Sequence, residues 1–112
     1  MIVDLSFLEK FTKGNPKKIK RYISMYLQVA PDTFSRMQQN LAEKDWTNLG
    51  INAHSLMPQA EYMGIVGMKP LLGKIEEAVA TGNTDELEEL FEQAIQLHRD
   101  SEPVLTARLE QD

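Results

Sequence analysis

The chain has 112 residues, of which 42% are apolar and 26% are charged, and its formal net charge is −5. These values fit a single globular domain over residues 1–112 and argue against disordered and membrane-resident proteins. The absence of cysteine excludes disulfides and thiolate chemistry, and no apolar run approaches the ~20 residues of a membrane span. The acidic balance argues against nucleic acid as the main partner. We expect no membrane partner and a cytoplasmic monomer.

The charges are unevenly distributed along the chain. Six basic residues and no acid lie between Lys10 and Arg21, whereas eleven acids and two arginines lie between Glu76 and Asp112. Such runs are usually solvated helix faces. The alternative is a basic patch that steers an acidic partner, which requires the patch to lie close to a functional site.

The first part of the chain has the pattern of short and long helices in succession. Asp4 can cap a short helix that runs to about Thr12. Asn15 followed by Pro16 is typical of the start of a second helix. Because Pro31 has no backbone N–H to donate, we expect it to open a third helix.

The second part of the chain also has helical periodicity. Asp45 can cap a long fourth helix, and the pair Lys69-Pro70 either interrupts that helix or begins a fifth. Asn83 and Glu86 have the spacing of a capping box, which predicts the start of the last helix there.

The helix lengths and connections indicate the fold class. Pro103 predicts a kink or a restart near the end of the last helix. Connections of a few residues favour antiparallel neighbours, and no alternating strand pattern occurs. We therefore predict an all-α protein, an antiparallel up-and-down four-helix bundle with a short extra N-terminal helix across one end.

The fourth helix carries a histidine on its exposed side. Its apolar residues follow a 3-4-3-4-3 spacing that predicts a continuous buried stripe, consisting of Trp46, Leu49, Ala53, Leu56, Ala60 and Met63. At about 100° per residue, His54 points roughly 130° away from the centre of this stripe. A lone exposed histidine is usually a bystander, so its neighbours decide whether it is functional.

The neighbours of His54 are unusual for a solvated helix face. Gly50 costs up to ~1 kcal/mol relative to alanine in a helix interior. Pro58 cannot donate to the carbonyl of His54, which costs ~3 kcal/mol in an unrelieved helix. Locally unfavourable residues around one reactive group are typical of a functional site. The predicted surroundings of His54 are Gly50, Met57, Pro58 and Glu61, and the predicted docking residues are Ile51 and Tyr62.

The run Ala53-His54-Ser55-Leu56, with Gly64 ten residues after the histidine, resembles a known family. It is similar to the pattern A-H-x-L-K-x-x-x-x-x-x-G of histidine-containing phosphotransfer (HPt) domains. The segments 30–32, 42–46 and 67–71 also resemble that family, so the resemblance covers nearly the whole chain. It implies a four-helix bundle whose second helix carries the phosphorylated histidine, with Gly64 among the residues around the phosphosite.

This resemblance implies a role in a bacterial two-component phosphorelay. His54 would accept a phosphoryl group from a receiver-domain aspartate or a hybrid kinase and pass it to a response regulator. The protein would be a phosphohistidine carrier rather than a turnover enzyme. It would need no cofactor of its own, because the receiver partner would hold the Mg²⁺.

One position departs from the family pattern. The lysine that usually follows the histidine by three residues, and that offsets the phosphoryl charge, is replaced by Met57. This replacement leaves open an alternative, a degenerate HPt-like bundle that docks receiver or kinase domains without being phosphorylated. A third hypothesis is a purely structural helical domain cut from a longer chain.

Other chemistry has little support in the sequence. His98 has no second histidine at metal-ligand spacing, so no metal site is predicted. The pairs Glu76-Glu77 and Glu88-Glu89 indicate solvated helix faces. No glycine-rich loop that could hold nucleotide phosphates is present, which argues against a kinase.

Overall fold

The computed structural model of the protein describes residues 1–111. Its helices are α1 (Ser6–Phe11), α2 (Pro16–Glu43), α3 (Trp46–Met63), α4 (Met68–Thr81) and α5 (Leu87–Leu109), with a 3₁₀ turn at Thr84–Glu86 before α5. The bundle is elongated and measures 45 × 21 × 20 Å.

The four longer helices form a ring. Helix α2 packs on α3, α3 on α4, α4 on α5, and α5 returns to α2, while α1 packs against α3. The short connections make neighbours antiparallel, which confirms the predicted four-helix bundle with an extra N-terminal helix. Residues 1–111 contain no strand beyond an isolated bridge between Val3 and Ile65. None of the helices in this range is long and apolar enough to cross a bilayer.

The prediction that Pro31 opens a separate helix is wrong, because α2 continues through Pro31 over 28 residues. Pro31 lies on the exposed face of α2. Ala30 and Phe34, on either side of it, are buried in the core. Packing of both halves of the helix therefore outweighs the ~3 kcal/mol that a proline costs in a helix interior.

The start of α5 also differs from the prediction. Asn83 makes no side-chain cap, since residues 84–86 form the 3₁₀ turn and α5 begins only at Leu87. The capping-box prediction is therefore wrong. Helix α5 continues through the exposed Pro103 without a restart. Pro70 lies in the first turn of α4. The N–H groups of a first turn have no partner within the helix, so a proline there costs no hydrogen bond.

The N-terminal segment is tied to the end of α3. Gly64 ends α3 with a φ of +61°. Its carbonyl accepts a hydrogen bond of 2.8 Å from the Asp4 N–H, and the Ile2 carbonyl accepts one of 2.9 Å from Val66. A β-carbon at Gly64 would overlap the Asp4 carbonyl oxygen, so only glycine allows this approach. These contacts hold α1 against the end of α3.

Candidate functional site

Helix α3 holds His54 at a fixed place on the surface. The Asp45 side chain accepts a hydrogen bond from the Asn48 N–H and caps the helix. The inward residues before and after the histidine, Ala53 and Leu56, are fully buried. The His54 side chain itself is 71% exposed. A rigid, anchored helix therefore presents an imidazole that a partner can reach.

Glu76 is the closest charged neighbour of His54. Its Oε2 lies 2.7 Å from the imidazole Nδ1, and its side chain is 42% exposed. Glu76 belongs to α4, which packs on α3, so the contact crosses a helix pair. Glu76 lies on a partly solvated face, but its contact with His54 was not predicted. Its partner is 22 residues away in sequence, so only the register of α3 on α4 could have indicated the contact.

Gly50 allows the two helices to approach closely. It is buried, and a β-carbon there would lie 3.3 Å from Cγ1 of Val79 on α4. The missing side chain therefore makes room for α4 rather than for the imidazole. Gly50 still shares an open surface depression with His54 and Glu76. Gly50 affects the site because it allows the close spacing of α3 and α4, and Glu76 lies on α4.

Met57, at the position of the family lysine, also faces α4. Its side chain is partly buried, and its methyl group lies 3.9 Å from where a β-carbon of Gly73 would be. Met57 thus packs across the helix pair below His54. It contributes no charge to the site.

An exposed apolar ridge runs along α3 beside His54. Ile51, one turn before the histidine, is 59% exposed, and Pro58, one turn after it, is also exposed. Ile51 borders the same depression as His54. A partner that covered His54 would also cover these two apolar side chains.

Tyr62 belongs to a second surface, which we call the aromatic cluster: Phe7, Phe11, Tyr22 and Tyr62. The Tyr62 ring centroid lies 5.1 Å from that of Phe11, 5.4 Å from that of Tyr22 and 5.5 Å from that of Phe7. Tyr62 is therefore partly buried against α1 and α2. Phe7 and Phe11 remain about half exposed.

Glu61 and Gly64 lie further along α3 than His54. Glu61 pairs with Lys69, with 3.2 Å between Oε2 and Nζ. Gly64 ends the helix ten residues after the histidine, about 15 Å along the axis. The structure thus gives Gly64 a backbone role in holding the N-terminal segment and does not bring it to His54.

The basic run of residues 10–21 is also distant from His54. Tyr22 stacks on Tyr62, so the start of α2 lies beside the end of α3. Tyr62 is eight residues from His54, about 12 Å along the helix. This distance exceeds the Debye length of ~8 Å at physiological ionic strength. Any field from these lysines at the imidazole is therefore weak.

The second histidine does not contribute to this site. His98 lies in the core between α5 and α2, with its Nδ1 2.9 Å from the Tyr26 hydroxyl. Within residues 1–111, no three His, Asp or Glu side chains come together as ligands for a metal ion.

The sequence was compared with models of known protein families. The family model described as Hpt domain matches residues 21–111. The chain therefore belongs to the histidine-containing phosphotransfer family, whose members carry phosphoryl groups on histidine in phosphorelays. The match leaves out residues 1–20, which include α1. Searches of curated proteins and of solved structures gave no significant match.

Proposed function

We propose that His54 is the phosphorylated residue of this HPt domain. It would take a phosphoryl group from a receiver-domain aspartate or a hybrid kinase and pass it to a response regulator. The observation that carries the proposal is the 71% exposed imidazole on a capped and well-packed helix. The other histidine within the described residues, His98, is buried and has a hydrogen-bonded ring.

The chemistry needs little beyond an accessible nucleophile. A lone pair of the neutral imidazole forms an N–P bond, and the P–O bond of the receiver's aspartyl phosphate breaks. The electrons of that bond remain on the receiver carboxylate. The reverse step returns the phosphoryl group to another receiver. Phosphoryl transfer depends mainly on positioning and charge neutralisation, which the receiver and its Mg²⁺ would supply.

The surface around His54 supports docking of a protein partner. Ile51 and Pro58 are exposed on either side of the histidine. A receiver that places its aspartate at His54 would cover both. Tyr62 would lie at the edge of this contact, because its ring is packed in the aromatic cluster. We expect a monomeric cytoplasmic carrier that binds receiver and kinase domains in turn.

The test is transfer of a phosphoryl group from a phosphorylated receiver domain to this protein. Receiver domains are phosphorylated with acetyl phosphate and Mg²⁺, freed of the reagent, and mixed with the protein. We expect acid-labile phosphate to appear on the wild type. It should then pass to an unphosphorylated receiver that is added later. His54→Gln should give no label while keeping the helical content of the wild type. Labelling of His54→Gln at the wild-type level would contradict the assignment.

One observation favours a second candidate function. Met57 offers no cation to offset a phosphoryl group, so the bundle could dock receivers without accepting phosphate. Receivers that bind the wild type and His54→Gln equally, with no label on either protein, would support this docking module. In that case the ridge of Ile51 and Pro58 would remain the binding surface.

A further inference from the structure

We propose that one end of the bundle binds the surface of an anionic phospholipid membrane. The binding face combines the exposed rings of the aromatic cluster with what we call the basic rim: Lys10, Lys13, Lys17, Lys18 and Arg21. It does not depend on the function of His54. The proposal departs from the expectation of no membrane partner, because the sequence does not show that these two groups of residues meet in the fold.

The apolar part of the face is exposed at one end of the molecule. Phe7 is 46% exposed, Phe11 is 51% exposed, and Met25 of α2 is 52% exposed. Phe11 borders a surface depression with Tyr22 and Met25, and its ring centroid lies 5.7 Å from that of Tyr22. An exposed patch of large apolar side chains marks an interaction surface more often than a purely solvated one.

The basic rim lies around these rings. Lys18 and Arg21 border the same depression as Phe11, and Lys10 borders another depression with Phe7. All five rim side chains are exposed. Within residues 1–111, none of them forms an ion pair. The face therefore presents unpaired positive charge beside exposed aromatic rings.

The carboxylates near this end are engaged or turned away. Glu9 borders a different depression, next to Pro103 of α5. The Glu61 carboxylate pairs with Lys69. Asp4 accepts hydrogen bonds from the N–H and the hydroxyl group of Ser6. These acids therefore compensate little of the charge of the basic rim.

The net charge of −5 does not exclude this contact, because the fold separates the charges along its long axis. Glu88 and Glu89 lie in the first turn of α5. Since α5 runs antiparallel to α2, this turn lies at the other end of a bundle that is 45 Å long. A membrane contact through the basic rim would keep these acids away from the lipid.

The composition of the face favours a membrane over a protein with a few defined carboxylates. Four of the five rim residues are lysines. Lysine carries a hydrated point charge on a flexible stem, whereas the planar fork of arginine suits bidentate recognition of a carboxylate. Several mobile cations match a diffuse anionic surface. Aromatic side chains beside them can enter the boundary between headgroups and acyl chains.

The position of the face leaves the phosphosite accessible. Tyr62 is eight residues from His54, about 12 Å along α3. A membrane under the aromatic cluster would therefore not cover the histidine. Helix α1 and four of the five rim residues belong to residues 1–20, outside the range that matches the family model. The face is thus a feature of this chain beyond the matched domain.

The first experiment measures binding to sucrose-loaded vesicles by sedimentation. We expect the wild type to bind vesicles of phosphatidylcholine with phosphatidylglycerol at low ionic strength and not those of phosphatidylcholine alone. High salt should release it. The double variant Lys18→Gln, Arg21→Gln should bind about twenty-fold more weakly, because each basic residue near an anionic surface contributes about five-fold.

The matched control removes the same two charges elsewhere. Arg36 of α2 and Lys74 of α4 are both exposed and lie outside the face. The double variant Arg36→Gln, Lys74→Gln should bind vesicles nearly as well as the wild type. Circular dichroism checks that both double variants keep the helical content of the wild type, as expected for exposed positions.

The second experiment tests the apolar part of the face. Phe11→Ala should lower the vesicle partition coefficient roughly five-fold, because about half of the ring is free to enter the interface. Ile51→Ala is the control, since Ile51 is 59% exposed beside His54 and outside the face. It should bind vesicles as the wild type does.

Several results would overturn the proposal. These are no binding of the wild type to the anionic vesicles at low ionic strength, equal binding to vesicles of phosphatidylcholine alone, and equal losses in the two double variants. Phosphoryl transfer from a receiver in solution that falls in the Lys18→Gln, Arg21→Gln variant, without vesicle binding by the wild type, would assign the face to a protein partner. A wild type that binds anionic vesicles but takes no phosphate would contradict the proposed function and leave this proposal standing.

Discussion

The two histidines of this protein have contrasting environments, although each has a glutamate partner. His54 is 71% exposed on α3 and contacts Glu76 through Nδ1. The His98 side chain is 4% exposed on α5, with Nε2 3.3 Å from Glu102 and Nδ1 2.9 Å from the Tyr26 hydroxyl. Both nitrogens of His98 are engaged, whereas Nε2 of His54 is left open.

The two sites both have a carboxylate neighbour, so what distinguishes the candidate phosphosite is its exposure. The His98 ring stacks on Phe34 with 5.0 Å between centroids, so a phosphoryl group could not approach it without opening the core. Its interactions stabilise the contact of α2 with α5. At His54 the carboxylate contacts a ring that is largely exposed to solvent.

The largest expected effect is the loss of stability when the buried histidine is removed. His98→Ala leaves a cavity and an unpaired Tyr26 hydroxyl, so the free energy of unfolding should fall by about 2–4 kcal/mol. His54→Gln should change it by less than about 0.5 kcal/mol, because that side chain packs little. Urea unfolding followed by circular dichroism measures both. Equal losses in the two variants would remove the contrast between the sites.

The buried histidine should also make the stability depend on pH. Burial lowers the pKa of His98, against the attraction of Glu102 and with the help of Arg99. The unfolded chain, with an ordinary pKa of about 6.5, therefore binds protons more readily than the folded one. The free energy of unfolding should fall as the pH drops below about 6.5.

Urea titrations of the wild type at pH 7.5 and 5.5, compared with those of His98→Gln, isolate this effect from the titration of carboxylates. The wild type should lose more stability than the variant over this interval. An equal loss in both proteins would mean that folding does not lower the pKa of His98.

A smaller effect is expected on docking at the exposed site. Ile51→Asp should weaken binding of a cognate receiver by about 1–2 kcal/mol, as for a central interface residue. Val104→Asp is the matched control, because Val104 is 44% exposed on α5 and away from His54. Isothermal titration calorimetry measures both. Receiver affinity that falls equally in the two variants would place the docking surface elsewhere.

The smallest expected effect concerns the position of the family lysine. Met57→Lys would replace a partly buried side chain, so we expect the lysine stem to lie along α4 and its ammonium group to reach solvent beside the site. An exposed charge pair there contributes about 0.2–1 kcal/mol. The phosphohistidine lifetime should therefore rise by no more than about five-fold, and less at high salt. Lifetimes at two salt concentrations measure this effect. A gain above about a hundred-fold in the phosphotransfer rate would mean that the natural protein transfers poorly, and would favour the docking module.

The fold could be predicted from the sequence because its signals are local. The cap at Asp45, the apolar stripe of α3 and the Asn15-Pro16 start of α2 each act within a few residues. The error at Pro31 has the opposite cause. A local rule predicts a break there, but packing of Ala30 and Phe34 against distant residues keeps the helix continuous.

The candidate site could be predicted only on its own helix. The exposure of His54 and Ile51 follows from the periodicity of α3. The roles of Glu76 and Gly50 do not, because both depend on how α4 packs against α3. The placement of Tyr62 in the aromatic cluster likewise depends on α1 and α2, which no pattern within α3 reveals.

The most direct test of His54 as the phosphorylated residue is to locate the phosphate after transfer from a phosphorylated receiver. Trypsin releases His54 in the peptide of residues 45–74 and His98 in that of residues 75–99, since the bond before Pro70 resists cleavage. Mass spectrometry at neutral or mildly basic pH, which preserves phosphohistidine, then reads the two peptides separately. We expect phosphate on His54 and none on His98. Phosphate on His98 would contradict this assignment. So would a fully folded protein that takes no phosphate from any phosphorylated receiver.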